Sequence, residues 1–326
     1  MTTPAIEAAS ESSVFAEIAA KSPGRLAWDR FRADRKTIVA AIVVALYALL
    51  AILAPILVAV GVLDPFTLNQ NLIDSNSLPK GFFGVSLQHP LGVEPGIGRD
   101  TLSRIWFGLS FSLMIASLSA ILAVFLGVVL GIIAGMSRGW ADTVVGRLID
   151  LVLSFPQTLM LLALSGTIIA FLSNTLFIPE GNAARATYVI LILAVFGWPP
   201  VARLIRGQVL SIREREFIDA ARLFGASKRR LWMKEVLPNL WAPILVQFTL
   251  ILPAYISAET ALAYLGVSVV PPTPTIGNIL ADSVQYAAGD FLYFLLPGLI
   301  LVIIVVAFNL LGDGIRDALD PKSGRR

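Results

Sequence analysis

Residues 214–239 read Glu214-Arg-Glu-Phe-Ile-Asp-Ala-Ala-Arg-Leu-Phe-Gly-Ala-Ser-Lys-Arg-Arg-Leu-Trp-Met-Lys-Glu-Val-Leu-Pro-Asn239, a basic island between two long apolar stretches. The spacing predicts a helix on which Phe217, Ala220, Ala221 and Phe224 share one face. Gly225 suits the left-handed cap that ends such a helix. Ser227 can cap a second helix carrying Lys228, Arg229, Arg230 and Lys234. Asp219 and Arg222 stand three residues apart, a spacing worth a few tenths of a kcal/mol to the first helix. Pro238 then opens the next apolar stretch, where a missing N–H costs least. Pattern alone leaves two readings: an interfacial hairpin whose charges hold the loop on one side of a membrane, or a knob gripped by a partner in the aqueous phase.

Composition settles what surrounds the island. Of 326 residues, 56% are hydrophobic and 14% charged, against about 25% charged in soluble domains. Residues 37–63, 105–137, 151–179, 186–202, 236–258, 260–281 and 291–312 contain no Asp, Glu, Lys or Arg. A membrane helix needs about 20 apolar residues. The interval 260–281 is broken by Pro271, Pro272 and Pro274, and reads as an irregular or re-entrant outer loop. Six spans remain, over roughly 37–60, 107–133, 151–172, 186–206, 241–262 and 291–311. Phe155-Pro156 should kink the third, either as a hinge or merely as tolerated packing.

Placing the N-terminus inside puts 21 of the 25 Lys and Arg on the inner side, the bias expected of cytoplasmic loops. Both termini are then cytoplasmic. The net charge of +3 is a topology signal, with no nucleic-acid partner implied. Residues 1–20 have no cationic start ahead of an apolar core, so a disordered tail is expected, not a cleavable signal. Arg25 to Lys36, with Trp28 and Phe31 interleaved, reads equally as an interfacial helix or as a basic flank that sets topology.

The expected organisation is a tail over 1–20, a basic segment and first span over 21–63, and an outer loop over 64–104. A five-span core follows over 105–314, containing the cytoplasmic loop 207–239, and a tail over 315–326 closes the chain. With no cysteine there are no disulfides or thiolate sites. His89, the single histidine, has no companions with which to build a metal site. No Ser–His arrangement, paired membrane aspartates or His-Glu-x-x-His is present, so no catalytic residue is expected. No Gly-Lys dipeptide occurs, hence no phosphate loop of the Walker type. Glu259 near the outer end of span five either lines a pathway or packs at an interface. An ion-coupled secondary transporter would want more such groups within its spans.

Glu216-Phe-Ile-Asp-Ala-Ala-Arg-Leu-Phe-Gly-Ala-Ser227 with Val236-Leu-Pro-Asn239 resembles the Glu-Ala-Ala coupling loop of permease subunits in bacterial ABC importers, with Asp219 replacing the usual glutamate. The likeness is to the dipeptide, oligopeptide and nickel group. His89-Pro-Leu-Gly92, Gly98-Arg-Asp-Thr-Leu-Ser103, Trp198-Pro-Pro-Val-Ala-Arg203, Ile205-Arg-Gly-Gln208, Pro271-Pro-Thr-Pro274 and Ala307-Phe-Asn-Leu-Leu-Gly-Asp-Gly314 agree with it. The segment Val93-Glu-Pro-Gly-Ile97 is about one residue longer than that pattern, and the turn between spans three and four is also longer.

The resemblance implies an all-α membrane protein with the type I ABC importer permease fold (methionine-permease-like), six spans and cytoplasmic termini, in the bacterial inner membrane. It implies a second homologous permease, two cytoplasmic ATPases that bind ATP and Mg2+, and an external solute-binding protein. This chain itself would bind no cofactor or metal. Glu216, Phe217, Asp219, Ala220, Ala221, Phe224, Gly225, Ala226, Ser227, Leu237 and Pro238 would couple it to the ATPase. The cargo it implies is a di- or oligopeptide, with nickel or another small solute as the alternative.

Overall fold

The computed structural model describes residues 23–137 and 139–319. The tail expected over 1–20, Lys21, Arg138 and residues 320–326 lie outside the described residues. Helices dominate: α1 (Pro23–Ala33), α2 (Arg35–Ala59), α3 (Thr101–Met136), α4 (Trp140–Ser154), α5 (Gln157–Ala163), α6 (Ser165–Asn174) and α7 (Asn182–Ile212). After α7 come α8 (Glu216–Leu223), the single turn α9 (Lys228–Arg230), a π segment Leu231–Val236 and a 3-10 segment Leu237–Leu240. The chain then runs through α10 (Trp241–Tyr264), α11 (Ile276–Tyr286) and α12 (Phe291–Leu319).

Among the described residues, five helices are long and apolar enough to cross a bilayer, and a sixth crossing exists if α4 and α5 form one broken span. The break at Phe155-Pro156 bends that pair by 79°. This exceeds the kink expected, because Pro156 ends α4 outright and starts α5 from an extended conformation.

The centre of the bundle is α3 against α7. Gly127, Gly131 and Gly135 recur every fourth residue and face Val201, Ile205 and Val209. A Cβ added at these glycines would lie 2.5, 2.8 and 2.6 Å from the Cβ atoms of those three residues. The small residues therefore let two helix backbones approach closely, as membrane helices require where apolar burial gives no driving force. α10 closes on the same pair: Tyr255 is buried and its hydroxyl donates to the Leu193 carbonyl (2.9 Å). At the inner end α4 is pinned to α7 by Arg206, which donates to both carboxylate oxygens of Asp142 at 2.6 and 2.9 Å. Here "inner" means the cation-rich end.

Two expectations are corrected. The loop expected over 260–281 is helical at both ends, since α10 continues to Tyr264 and α11 starts at Ile276. Thr275 caps α11 reciprocally with Asn278, a capping box that the nearby prolines obscured. The last span runs on to Leu319, past the end expected near 311. Its glycines do not stop it, because Gly314 is needed for contact with Thr37 on α2.

The outer segment 60–100 folds as turns with two isolated bridges, Ile73 to Pro79 and Val93 to Asp100. It is stitched down by charge. Arg99 grips Glu94 through Nε (2.5 Å) and Nη2 (2.8 Å), and Arg104 Nε lies 3.2 Å from the same carboxylate. All three side chains are buried. The Tyr293 hydroxyl lies 3.1 Å from Glu94 and 3.0 Å from Asp282. It has one proton for two carboxyl groups. Burial, then the neighbouring Glu94 charge, raises the Asp282 pKa. Both contacts are satisfied when a protonated Asp282 donates to Tyr293 and Tyr293 donates to Glu94. His89 Nδ1 sits 2.9 Å from Asp100, whose other oxygen caps α3 by accepting from the Ser103 N–H (2.7 Å).

Candidate functional site

The island at 214–239 forms a helical knob below the inner ends of α3 and α7. α8 begins at Glu216 without a side-chain cap, and Glu216 and Asp219 in its first turn complement the helix dipole. The expected pair is present: Arg222 Nη1 donates to Asp219 Oδ1 (3.0 Å). α8 ends in a Schellman motif. Gly225 has φ +74°, its N–H donates to the Arg222 carbonyl (2.9 Å), and the Ala226 N–H reaches back to the Ala221 carbonyl (3.0 Å). Ser227 accepts from the Arg230 N–H (3.3 Å) and opens the second helix, which passes through the π turn and the Pro238-containing 3-10 turn into α10.

The two faces of α8 differ. Ile218 is fully buried in the cluster that holds Val128 and Ile132 of α3, Val209 of α7, and Leu231 and Val236. Ala221, Ala226 and Leu237 pack against that cluster from its edge. Phe217 and Ala220 point outward. Leu223 and Phe224 are 89% and 92% exposed. The face expected from sequence is thus split: Phe217, Ala220 and Phe224 are presented, whereas Ala221 is turned toward the body. Ile218, which fixes the knob, and Leu223, which extends its apolar tip, were missed. The helical period could not have found them, since it groups Ala221 with Phe217 and Phe224 and leaves undecided which flank meets the body.

Arg213 anchors the base of the knob by donating to the Gly135 carbonyl at the end of α3 (2.9 Å). Between the knob and the start of α4 lies a cavity of about 610 Å³, with Arg213, Arg222, Lys228, Trp140 and Trp232 in its walls. The arrangement holds an apolar tip away from the body on a short, well-capped helix. Such a tip offers a surface that can be seized and displaced.

Glu259 lies elsewhere, buried where α10, α3 and the 265–275 loop meet. Ser112 Oγ donates to it at 2.8 Å and Ser268 Oγ at 3.0 Å, while the Ile276 N–H donates to Ser112 Oγ (3.1 Å). Its carboxylate is enclosed by this chain's own groups.

Residues 127–325 match the family described as binding-protein-dependent transport system inner membrane component. Residues 22–79 match the N-terminal TM domain of oligopeptide transport permease C. The dipeptide transport system permease protein of Alkalihalophilus pseudofirmus is 33% identical over 93% of this chain and 91% of its own length. The glutathione transport system permease protein of Shigella flexneri is 35% identical over 93% and 91%, and the oligopeptide transport system permease protein of Mycobacterium bovis 34% identical over 72% and 77%. A chain of a methionine ABC transporter, solved in inward facing conformations, superposes with a TM-score of 0.51 at 20% identity, covering 68% of this chain and 96% of that one. That likeness is one of fold.

Proposed function

We infer that this chain, which belongs to the family of binding-protein-dependent transport system inner membrane components, carries di- or oligopeptides as the permease subunit of its ABC importer. The peptide assignment draws on relatives whose names specify dipeptide, oligopeptide and glutathione transport. The chain forms half of a translocation pathway. A second homologous permease supplies the other half, two cytoplasmic ATPases bind ATP and Mg2+, and an external binding protein delivers the peptide.

The observation that carries the coupling role is the two-faced α8. Its outer face offers Phe217, Leu223 and Phe224 to a groove on an ATPase, while Ile218 joins it to the α3–α7 core. Closure of the ATPases moves the knob, and the buried side passes that movement to the spans. Shifting a two-state equilibrium from 1:99 to 99:1 takes about 5.5 kcal/mol of differential interaction. Two or three desolvated aromatic or aliphatic anchors, at roughly 2 kcal/mol or more each, are of that order. The chain performs no hydrolysis itself.

The chain is free of cysteine, so single cysteines report contacts directly. In the reconstituted importer, cysteine at Ala220 should crosslink to an ATPase carrying a groove cysteine, and cysteine at Ala221 should not. ATP should drive dipeptide uptake that needs the binding protein. Uptake by the purified permeases alone, without an ATPase, would overturn the reading.

A further inference from the structure

A groove of about 500 Å³ runs between α2 and α12 at their inner ends. Its floor is made by two small buried residues, Ala40 and Ala307, at 3% and 5% exposure. Val43, Val302 and Val306 rise as walls, and Arg35 and Lys36 stand at its mouth. The lining from Lys36 to Val43 covers about 10 Å at 1.5 Å per residue. That is most of the roughly 15 Å that one leaflet contributes to the hydrocarbon core.

The mouth keeps a net positive charge, with the two cations Arg35 and Lys36 against the single carboxylate of Asp34, whose charge attracts Lys36. Among the described residues, neither Arg35 nor Lys36 forms an ion pair with a carboxylate. The adjacent Asp34 is committed to capping α2, accepting from the N–H groups of Lys36 (3.1 Å) and Thr37 (3.3 Å) and from the Thr37 hydroxyl. Across α1, the start of α2 and the end of α12, the six cations Arg25, Arg30, Arg32, Arg35, Lys36 and Arg316 outnumber the acids Asp29, Asp34, Asp313 and Asp317. Beside the mouth, Trp28 stacks on Phe31 at 5.7 Å with Arg32 over its ring at 4.7 Å, a pairing suited to the headgroup level of a bilayer.

We propose that the groove is a binding site for an anionic phospholipid of the inner leaflet, with the phosphate on Arg35 and Lys36 and one acyl chain lying over Ala40 and Ala307. The site is independent of the coupling knob; it rests on the orientation in which the cation-rich end is cytoplasmic. Apolar walls select an acyl chain over a soluble anion, and basic pockets between membrane helices on the cytoplasmic side take anionic headgroups. Bound lipid would wedge α2 and α1 against α12, fixing the N-terminal module to the permease core.

The test uses the complete importer in nanodiscs of phosphatidylcholine containing a minor fraction of phosphatidylglycerol, followed by native mass spectrometry of the released complex. Wild type should retain phosphatidylglycerol in preference to phosphatidylcholine, and excess inorganic phosphate should not displace it. Arg35→Gln with Lys36→Gln should weaken that retention about thirtyfold, the equivalent of two basic contacts at about 1 kcal/mol each. Val306→Trp fills the groove without touching charge and should also abolish retention, with the unfolding midpoint confirming that the complex is intact. Equal retention of the two lipids by wild type, or undiminished phosphatidylglycerol in both variants, would overturn the proposal.

Discussion

The outer segment 60–100 and the inner knob 214–239 are both long and polar, yet they solve opposite problems. The outer segment buries a charge cluster: Glu94 and Arg99 lie in the company of Arg104 from the start of α3, with Tyr293 and Asp282 closing the set. The inner knob turns apolar groups outward, with Leu223 and Phe224 almost wholly exposed. The outer segment meets its buried charges within its own chain, while Phe82 and Leu87 at its turns stay exposed. The knob presents Leu223 and Phe224 side by side at the tip of one short helix, and under the proposed function that tip is where outside work enters. Two polar stretches of different length thus make a lid in one place and, under the proposed coupling role, a handle in the other.

The largest effect should come from breaking the lid. Glu94→Gln leaves Arg99 and Arg104 buried without a counter-charge, which should cost about 3–5 kcal/mol, read as a lower unfolding midpoint of the detergent-solubilised complex. ATPase binding to any folded fraction should be unaffected. Next is the handle: Phe224→Asp should weaken the ATPase contact by about 2–4 kcal/mol and abolish uptake, while chain stability stays within about 0.5 kcal/mol. A Phe224 variant that unfolds would mean the side chain is part of the body after all.

Ala221→Glu sharpens the contrast, because its charge would be pushed toward Ile218 and Ala226. It should cost about 1–3 kcal/mol of stability as well as coupling, so the two variants separate docking from support.

Smaller still is a pH effect. The Asp282 pKa is raised above its usual 3.8 by burial and by Glu94, so between the usual and the raised value the folded chain holds a proton that the unfolded chain has lost. Stability from this group therefore falls as pH rises through the raised value and returns as pH drops. Comparing the unfolding midpoint at about pH 7 with that at about pH 4, near the usual value, Asp282→Asn should show less stabilisation on acidification than wild type. Smallest is Arg222→Ala, which removes an exposed pair and should change α8 by only a few tenths of a kcal/mol.

Charge-free intervals of sufficient length made the long spans legible in the sequence, and the Gly225–Ser227 turn was legible because its glycine and cap residue have one good use each. Less visible were features that depend on distant partners. Glu94 sits in the stretch that departs from the expected family pattern, and nothing local announces that Arg104, Asp282 and Tyr293 converge on it. α11 was hidden by prolines whose influence ends at the Thr275 cap. The division of the α8 faces needed knowledge of what lies above the helix: period alone groups Ala221 with Phe217, whereas Ile218 settles which side meets α3 and α7. Glu259 could be placed near a membrane boundary from sequence, but the hydroxyls of Ser112 and Ser268 that enclose it come from other elements.

The glycine seam along α3 carries one more consequence. Where Gly127, Gly131 and Gly135 lock into Val201, Ile205 and Val209, the two longest helices cannot splay without opening voids along three successive turns. Under the proposed coupling role they swing as one lever. A push at Ile218 would then emerge at the far side of the bilayer as a tilt of the joined pair, and a single bulky residue in the seam would jam the stroke without touching either end of it.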